Sequence, residues 1–90
     1  MSGASAPGPP GRLTIVQRRD CELCEAMLRE LAVFGRSCAL PPVDVVDVDA
    51  DAELRRRHGL DVPVLLLDGT VVCRHRLDAA ELRRLLQGRP

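Results

Sequence analysis

Two cysteines stand three positions apart in Cys21-Glu22-Leu23-Cys24, a spacing that lets two thiols close a small disulfide ring across one helical turn with little backbone movement. Reversible oxidation is the chemistry such a pair can do. The attacking species in thiol–disulfide exchange is a thiolate, and a helix N-terminus favours it through unpaired N–H groups and the positive end of the dipole. Cys21, nearer that end and its preceding loop, is the candidate nucleophile. Cys24, one turn further in, is the candidate resolving thiol, positioned to attack Cys21 in a mixed disulfide. The flanking charges oppose one another: Arg18 and Arg19 stabilise a thiolate they point at, whereas Asp20 and Glu22 disfavour it, and the sign of the sum stays open. Glu22 and Glu25 have a sufficient structural reason, since acids suit the first turn of a helix.

A lone C-x-x-C is also half of a zinc site, but zinc needs two further ligands, and neither a second C-x-x-C nor an H-x-x-x-H is present. Cys38, His58, Cys73 and His75 are the remaining donors and fall in different segments. No metal site is therefore expected. Cys38 and Cys73 read most simply as small loop and strand residues, His58 as a partner of a helix C-terminus beside Gly59, and His75 as part of a solvated strand end.

The elements that must position the dithiol follow from patterning. Leu13 to Gln17 is short, apolar and β-branched, and Arg18-Arg19-Asp20 ends it. Cys24, Met27, Leu28 and Leu31 then recur on one helical face, with Gly35 as the expected stop. After Pro41-Pro42, the run Val43 to Val48 has strand composition, and Asp49 to Asp51 offers capping oxygens for a short helix through His58, which Gly59 ends. Val62 to Leu67 and Thr70 to His75 flank Asp68-Gly69, a hairpin turn tolerant of positive φ. The last helix opens on Asp78 with Glu81 three residues on, a capping box, and Leu77 with Leu82 forms a hydrophobic staple. Leu82, Leu85 and Leu86 face the core, and Gly88 ends the helix. The expected order is β-α-β-α-β-β-α around a mixed four-stranded sheet, with the first two strands parallel and the last two antiparallel.

The length of 90 residues allows one domain and no large enclosed cofactor. Basic and acidic residues balance at 13 each, every basic one an arginine, so no overall field gathers nucleic acid or anionic lipid. Arg55-Arg56-Arg57 lacks aromatic stacking partners and reads as a solvated helix face. Residues 1–11, built of Ser, Gly, Ala and Pro after the initial Met, are expected to be a disordered tail, with neither signal peptide nor membrane anchor; the domain is expected over 12–90, its folded part between about Arg12 and Gln87. A cytoplasmic, reducing setting follows, in which paired cysteines more often do redox or metal chemistry than hold a scaffold.

A strand, then Cys21-Glu22-Leu23-Cys24, then Asp61-Val62-Pro63-Val64 opening a hairpin resembles the thioredoxin-fold superfamily. The combination is most similar to small bacterial glutaredoxin-like proteins of C-x-L-C type, from Leu13 to the last helix. The resemblance implies a thioredoxin-like α/β fold and a thiol–disulfide oxidoreductase serving cell redox homeostasis. It also implies a cis Val62-Pro63 bond packed against the dithiol, where the Val62 backbone pairs with an extended substrate. By itself, Pro63 says only that a strand begins at an edge or turn. Well-studied glutaredoxins often carry Pro where Glu22 stands and an aromatic where Leu23 stands, and a Gly-Gly pair where this chain reads Cys73-Arg74-His75-Arg76-Leu77-Asp78. The pocket for glutathione is thus incomplete, with Arg18 or Arg19 left as carboxylate partner and Asp78 as amine partner. With no Trp or Tyr in the chain, the usual aromatic substrate surface is absent too. The expected substrate is a disulfide-bearing protein or small thiol, handled by a monomer with no bound cofactor, glutathione being at most a reductant. The alternative is a non-catalytic thioredoxin-fold module that binds a partner or metal.

Overall fold

The computed structural model describes residues 11–88; the expected tail lies outside them except for Gly11. Period-two alternation sends Leu13 and Ile15 of β1 (Leu13–Gln17) to one face of a sheet and Val16 to the other, and all three are buried. β2 (Val43–Asp47) pairs parallel to β1, while β3 (Val64–Leu67) runs antiparallel to β1 and carries β4 (Thr70–Arg74) antiparallel on its far side. The sheet order is β2-β1-β3-β4.

Two cores lie on opposite faces. α1 (Glu22–Ser37) lays Met27, Leu31 and Phe34, and α3 (Ala79–Gln87) lays Leu82, against Leu13, Ile15, Leu65 and Leu67. On the other face Val16, Val48 and Val64 pack with Leu54 of α2 (Ala52–His58). A bulge between Leu65 and Leu66 leaves Val72 as the extra residue in β4, and both Val72 and Cys73 pack on the α1–α3 core. Asp68 and Gly69, at φ 52° and 85°, make the expected hairpin turn.

Several element ends differ from the sequence expectation, each for a local reason. α1 passes Gly35 and stops at Ser37, because Arg36 and Ser37 sustain the helix and Gly35 gives Leu40 room to fold back; a Cβ there would lie 3.1 Å from Leu40 Cδ1. β2 ends at Asp47, whose carboxylate accepts the Asp49 N–H at 2.8 Å and turns Val48–Ala50 into a 3-10 turn. β3 starts at Val64 rather than Val62, since Pro63 has no N–H to give the ladder. β4 ends at Arg74, because His75 adopts φ 71°. The α3 capping box is half formed. Asp78 accepts the Glu81 N–H at 3.0 Å, but the Asp78 N–H donates to Cys73 Sγ at 3.5 Å, and the Glu81 carboxylate turns to Arg84.

Candidate functional site: a dithiol at the head of the first helix

The chain leaves β1 through Arg18 and Arg19 and turns at Asp20, whose φ of 54° is a left-handed conformation that aspartate tolerates better than most residues. Cys21 follows as the N-cap of α1, in extended conformation, and its Sγ accepts the Cys24 N–H at 3.2 Å. The sulfur thus sits where a serine or aspartate oxygen would cap a helix. Cys21 and Cys24, with Cα atoms 5.2 Å apart, are joined as a disulfide. Their environments differ: Cys24 is fully buried on the apolar stripe of α1, whereas Cys21 is part-exposed at the helix mouth. Glu22 and Glu25 occupy the first turn, and Leu23, between the cysteines, is 46% exposed.

Strand register brings a second segment to the same end of the sheet. Val64 is opposite Val16, so Pro63 lies beside the exit of β1 toward the dithiol. The Val62–Pro63 peptide is cis and Pro63 is buried. The Pro63 carbonyl accepts the His75 N–H at 2.7 Å, which draws in the connection from β4 to α3. Val62 packs on the second core, and Asp61 lies 3.7 Å from Arg74. Leu60, immediately before this segment, is 96% exposed.

The two arginines before the motif part company. The Arg18 guanidinium is held by Asp49 at 2.9 and 3.2 Å and by the Gly59 carbonyl at 2.9 Å. It therefore clamps the loop before the dithiol to the turn ahead of α2 and to the segment leading to Val62. This pair raises the Arg18 pKa and holds the Asp49 carboxyl below the usual range, in both cases chiefly through the shared hydrogen bond. Arg19 is exposed and forms no ion pair among the described residues.

The other donors stay apart from the dithiol. Cys38 caps the C-terminus of α1, and its N–H donates to the Phe34 carbonyl. Cys73 sits in β4, where burial pushes its thiol up. His58 does end α2 but is buried, with Nδ1 lacking a hydrogen-bond partner. Among the described residues no three His, Cys, Asp or Glu side chains gather around a common point. In the arginine run, Arg56 and Arg57 pair with Glu53. Sequence reasoning passed over the exposed Leu60 and the left-handed His75. An isolated leucine in a loop carries no periodic signal, and a positive φ at histidine shows only in the backbone.

These features define a thioredoxin-fold protein with an N-cap dithiol. The glutaredoxin-like domain model (DUF836) matches residues 12–87, and the chain belongs to that family. It is similar to protein Ne2328 from Nitrosomonas europaea, with 26% identity, 96% of this chain and 99% of that one covered, and a TM-score of 0.77. Protein XcR50 from X. campestris is 37% identical over 87% of this chain and 99% of that one, with a TM-score of 0.66. Thioredoxin 1 from Thermosipho africanus shares the fold at 16% identity, covering 84% of this chain and 94% of that one, with a TM-score of 0.57. No curated protein matches the chain.

Proposed function

We propose that the protein is a dithiol oxidoreductase that exchanges disulfides with a partner protein or small thiol compound. The observation that carries this is the asymmetry of the pair: a part-exposed Cys21 sulfur on the helix N-terminal N–H, backed by a fully buried Cys24 at disulfide distance. In the reduced protein the Cys21 thiolate meets that N–H donor and the dipole, which favour the attacking form. It attacks one sulfur of a substrate disulfide R–S–S–R′; a Cys21–S–S–R bond forms and R′–S⁻ leaves, taking a proton from solvent. Cys24, deprotonated in turn, attacks Cys21 Sγ and expels R–S⁻. The substrate gains two electrons and two protons, and the protein is left with the Cys21–Cys24 disulfide. A thiol reductant of the surroundings restores the dithiol by the reverse steps, and no bound cofactor takes part.

Val62, Pro63 and Arg19 are the proposed substrate contacts, and Arg18, expected from sequence to be a fourth, is a positioning residue because Asp49 and the Gly59 carbonyl hold its guanidinium. Val62 supplies backbone to an extended segment, Pro63 shapes the floor, and Arg19 has the guanidinium free for a carboxylate, while Arg18 orders the loop that carries both. A reducing cytoplasm suits such a cycle.

The reading is tested by trapping. Cys24→Ser, mixed with a disulfide-bearing peptide, is expected to accumulate a Cys21–peptide mixed disulfide visible by intact mass, and Cys21→Ser to form none. Equal adduct formation by both variants, or none by either, leaves the protein as a binding module whose cysteines turn over nothing.

A further inference from the structure

The exposed side of α1 does not end at the dithiol. A cleft of about 710 Å³ opens between α1 and the start of α3, lined by the apolar Val33, Phe34 and Leu77 together with Arg29, Arg76 and Arg83. A smaller hollow, bordered by Leu23 and His75, shares Glu30 and Arg76 with it, so one track runs from between the two cysteines along the helix to Ser37. From Leu23 to Ser37 the helix rises about 21 Å, the reach of about six residues of extended chain.

The charge of this track is local, since the whole chain is neutral. Among the described residues six arginines elsewhere are answered by the protein's own acids, Arg12 by Asp44, Arg18 by Asp49 and Arg84 by Glu81 among them, while Arg19, Arg36 and Arg55 form no ion pair and do not line the cleft. Arg29, Arg76 and Arg83 form no ion pair among the described residues, and Glu30 is the one acid lining the cleft. Arg83 is also held in place, its guanidinium 5.2 Å from the centroid of the Phe34 ring, a stacking that leaves its edge N–H donors for an anion. Guanidinium forks beside apolar side chains match a chain that carries carboxylates and an apolar side chain.

We infer that the cleft between α1 and α3 is the docking track for an acidic, extended segment of the partner protein whose disulfide Cys21 attacks. The inference rests on the exchange reading for the word "disulfide", and the docking itself is measurable without exchange.

The probe is a labelled, cysteine-free peptide of about six residues rich in Glu and Asp around one Leu, titrated against the oxidised full chain by fluorescence anisotropy. The serine-for-acid peptide is the control. The acidic peptide is expected to bind saturably with a Kd below about 1 mM, at least tenfold tighter than the control, and to weaken severalfold when salt rises from about 0.05 to 0.5 M. Arg29→Glu/Arg83→Glu is expected to weaken it at least tenfold. Arg29→Glu alone, which leaves the Arg83–Phe34 stacking in place, is expected to weaken it about threefold.

In exchange assays a disulfide carried on the acidic peptide is expected to react about tenfold faster than one on the control. 2-Hydroxyethyl disulfide reports the dithiol alone. Equal binding of the two peptides, or an affinity untouched by the double variant, overturns the docking track while leaving the dithiol reading intact. Displacement of the peptide by sulfate at matched ionic strength overturns it as well, because the site would then be a general anion patch. Selective peptide binding with no reaction of any disulfide supports the track and overturns the exchange reading instead.

Discussion

At the scale of single residues, what sets Cys21 apart from Cys24 and Cys73 is what its sulfur meets and how far it is exposed. Cys21 faces a helix N–H from a part-exposed position, Cys24 is sealed behind it, and Cys73 is half-buried with only the Asp78 N–H at 3.5 Å. Burial raises the Cys73 pKa, so at a given pH less of it is thiolate than of an ordinary thiol. In a Cys21→Ser/Cys24→Ser background, Cys73 is therefore expected to alkylate several times more slowly than a small-molecule thiol at about pH 8.5, the gap closing as pH rises. Matching rates at that pH would show that Cys73 is not desolvated. The Arg18–Asp49 clamp makes a second prediction. Because the folded Asp49 pKa is depressed, its contribution to stability is fully present above the unfolded value of about 3.9 and lost as pH falls through the folded one. Asp49→Asn should thus be less stable than the native chain at neutral pH, and the difference should begin to shrink as pH falls below about 4 and be gone only once pH has passed below the depressed folded pKa of Asp49. A difference that does not change with pH would mean that the ion pair contributes nothing. The cysteine pair and its place at the head of a helix were legible from spacing and periodicity. The engagement of Arg18 was not, since Asp49 is 31 positions away and the pairing exists only after β1 and β2 have aligned.

At the scale of elements, type and order could be read from periodicity, capping residues and the Asp68-Gly69 turn, while several ends could not. Gly35 looked like a helix stop because isolated glycine commonly is one. Its role in this chain is to admit Leu40, a tertiary contact. Asp78-x-x-Glu81 has the spacing of a reciprocal cap, yet Arg84 on the next turn claims the Glu81 carboxylate and holds it below the usual range, chiefly through the hydrogen bond they share. What remains of the cap is the Asp78 side chain on the Glu81 N–H. Asp78→Ala is expected to cost about 1 kcal/mol, measured by urea unfolding, whereas Glu81→Ala should cost less, because it removes only a surface ion pair. The reverse ranking would show that Glu81 does cap the helix.

At the scale of the whole molecule, the fold gathers three connections at one end of a sheet whose order, β2-β1-β3-β4, places the central strands β1 and β3 directly beneath them. The loop before α1 brings the thiols, the segment before β3 brings Val62 and Pro63, and the link from β4 brings His75. No helix among the described residues is long and apolar enough to cross a membrane. The basic cleft beside the dithiol escaped sequence reading because its arginines come from α1, the β4–α3 link and α3. Along the chain they are scattered and cancel against acids, and only packing of the two helices makes them neighbours. The central claim, that Cys21 and Cys24 work as one reversible two-electron couple, is tested most directly by a redox titration of the full chain in dithiol buffers. Rapid alkylation and intact-mass analysis, under native and denaturing conditions, would follow the state of the pair. A single reversible transition confined to Cys21 and Cys24, with a midpoint between about −300 and −150 mV, is the expected result. A pair that cannot be cycled between dithiol and disulfide, or a native mass carrying a bound metal on those two thiols, would contradict it.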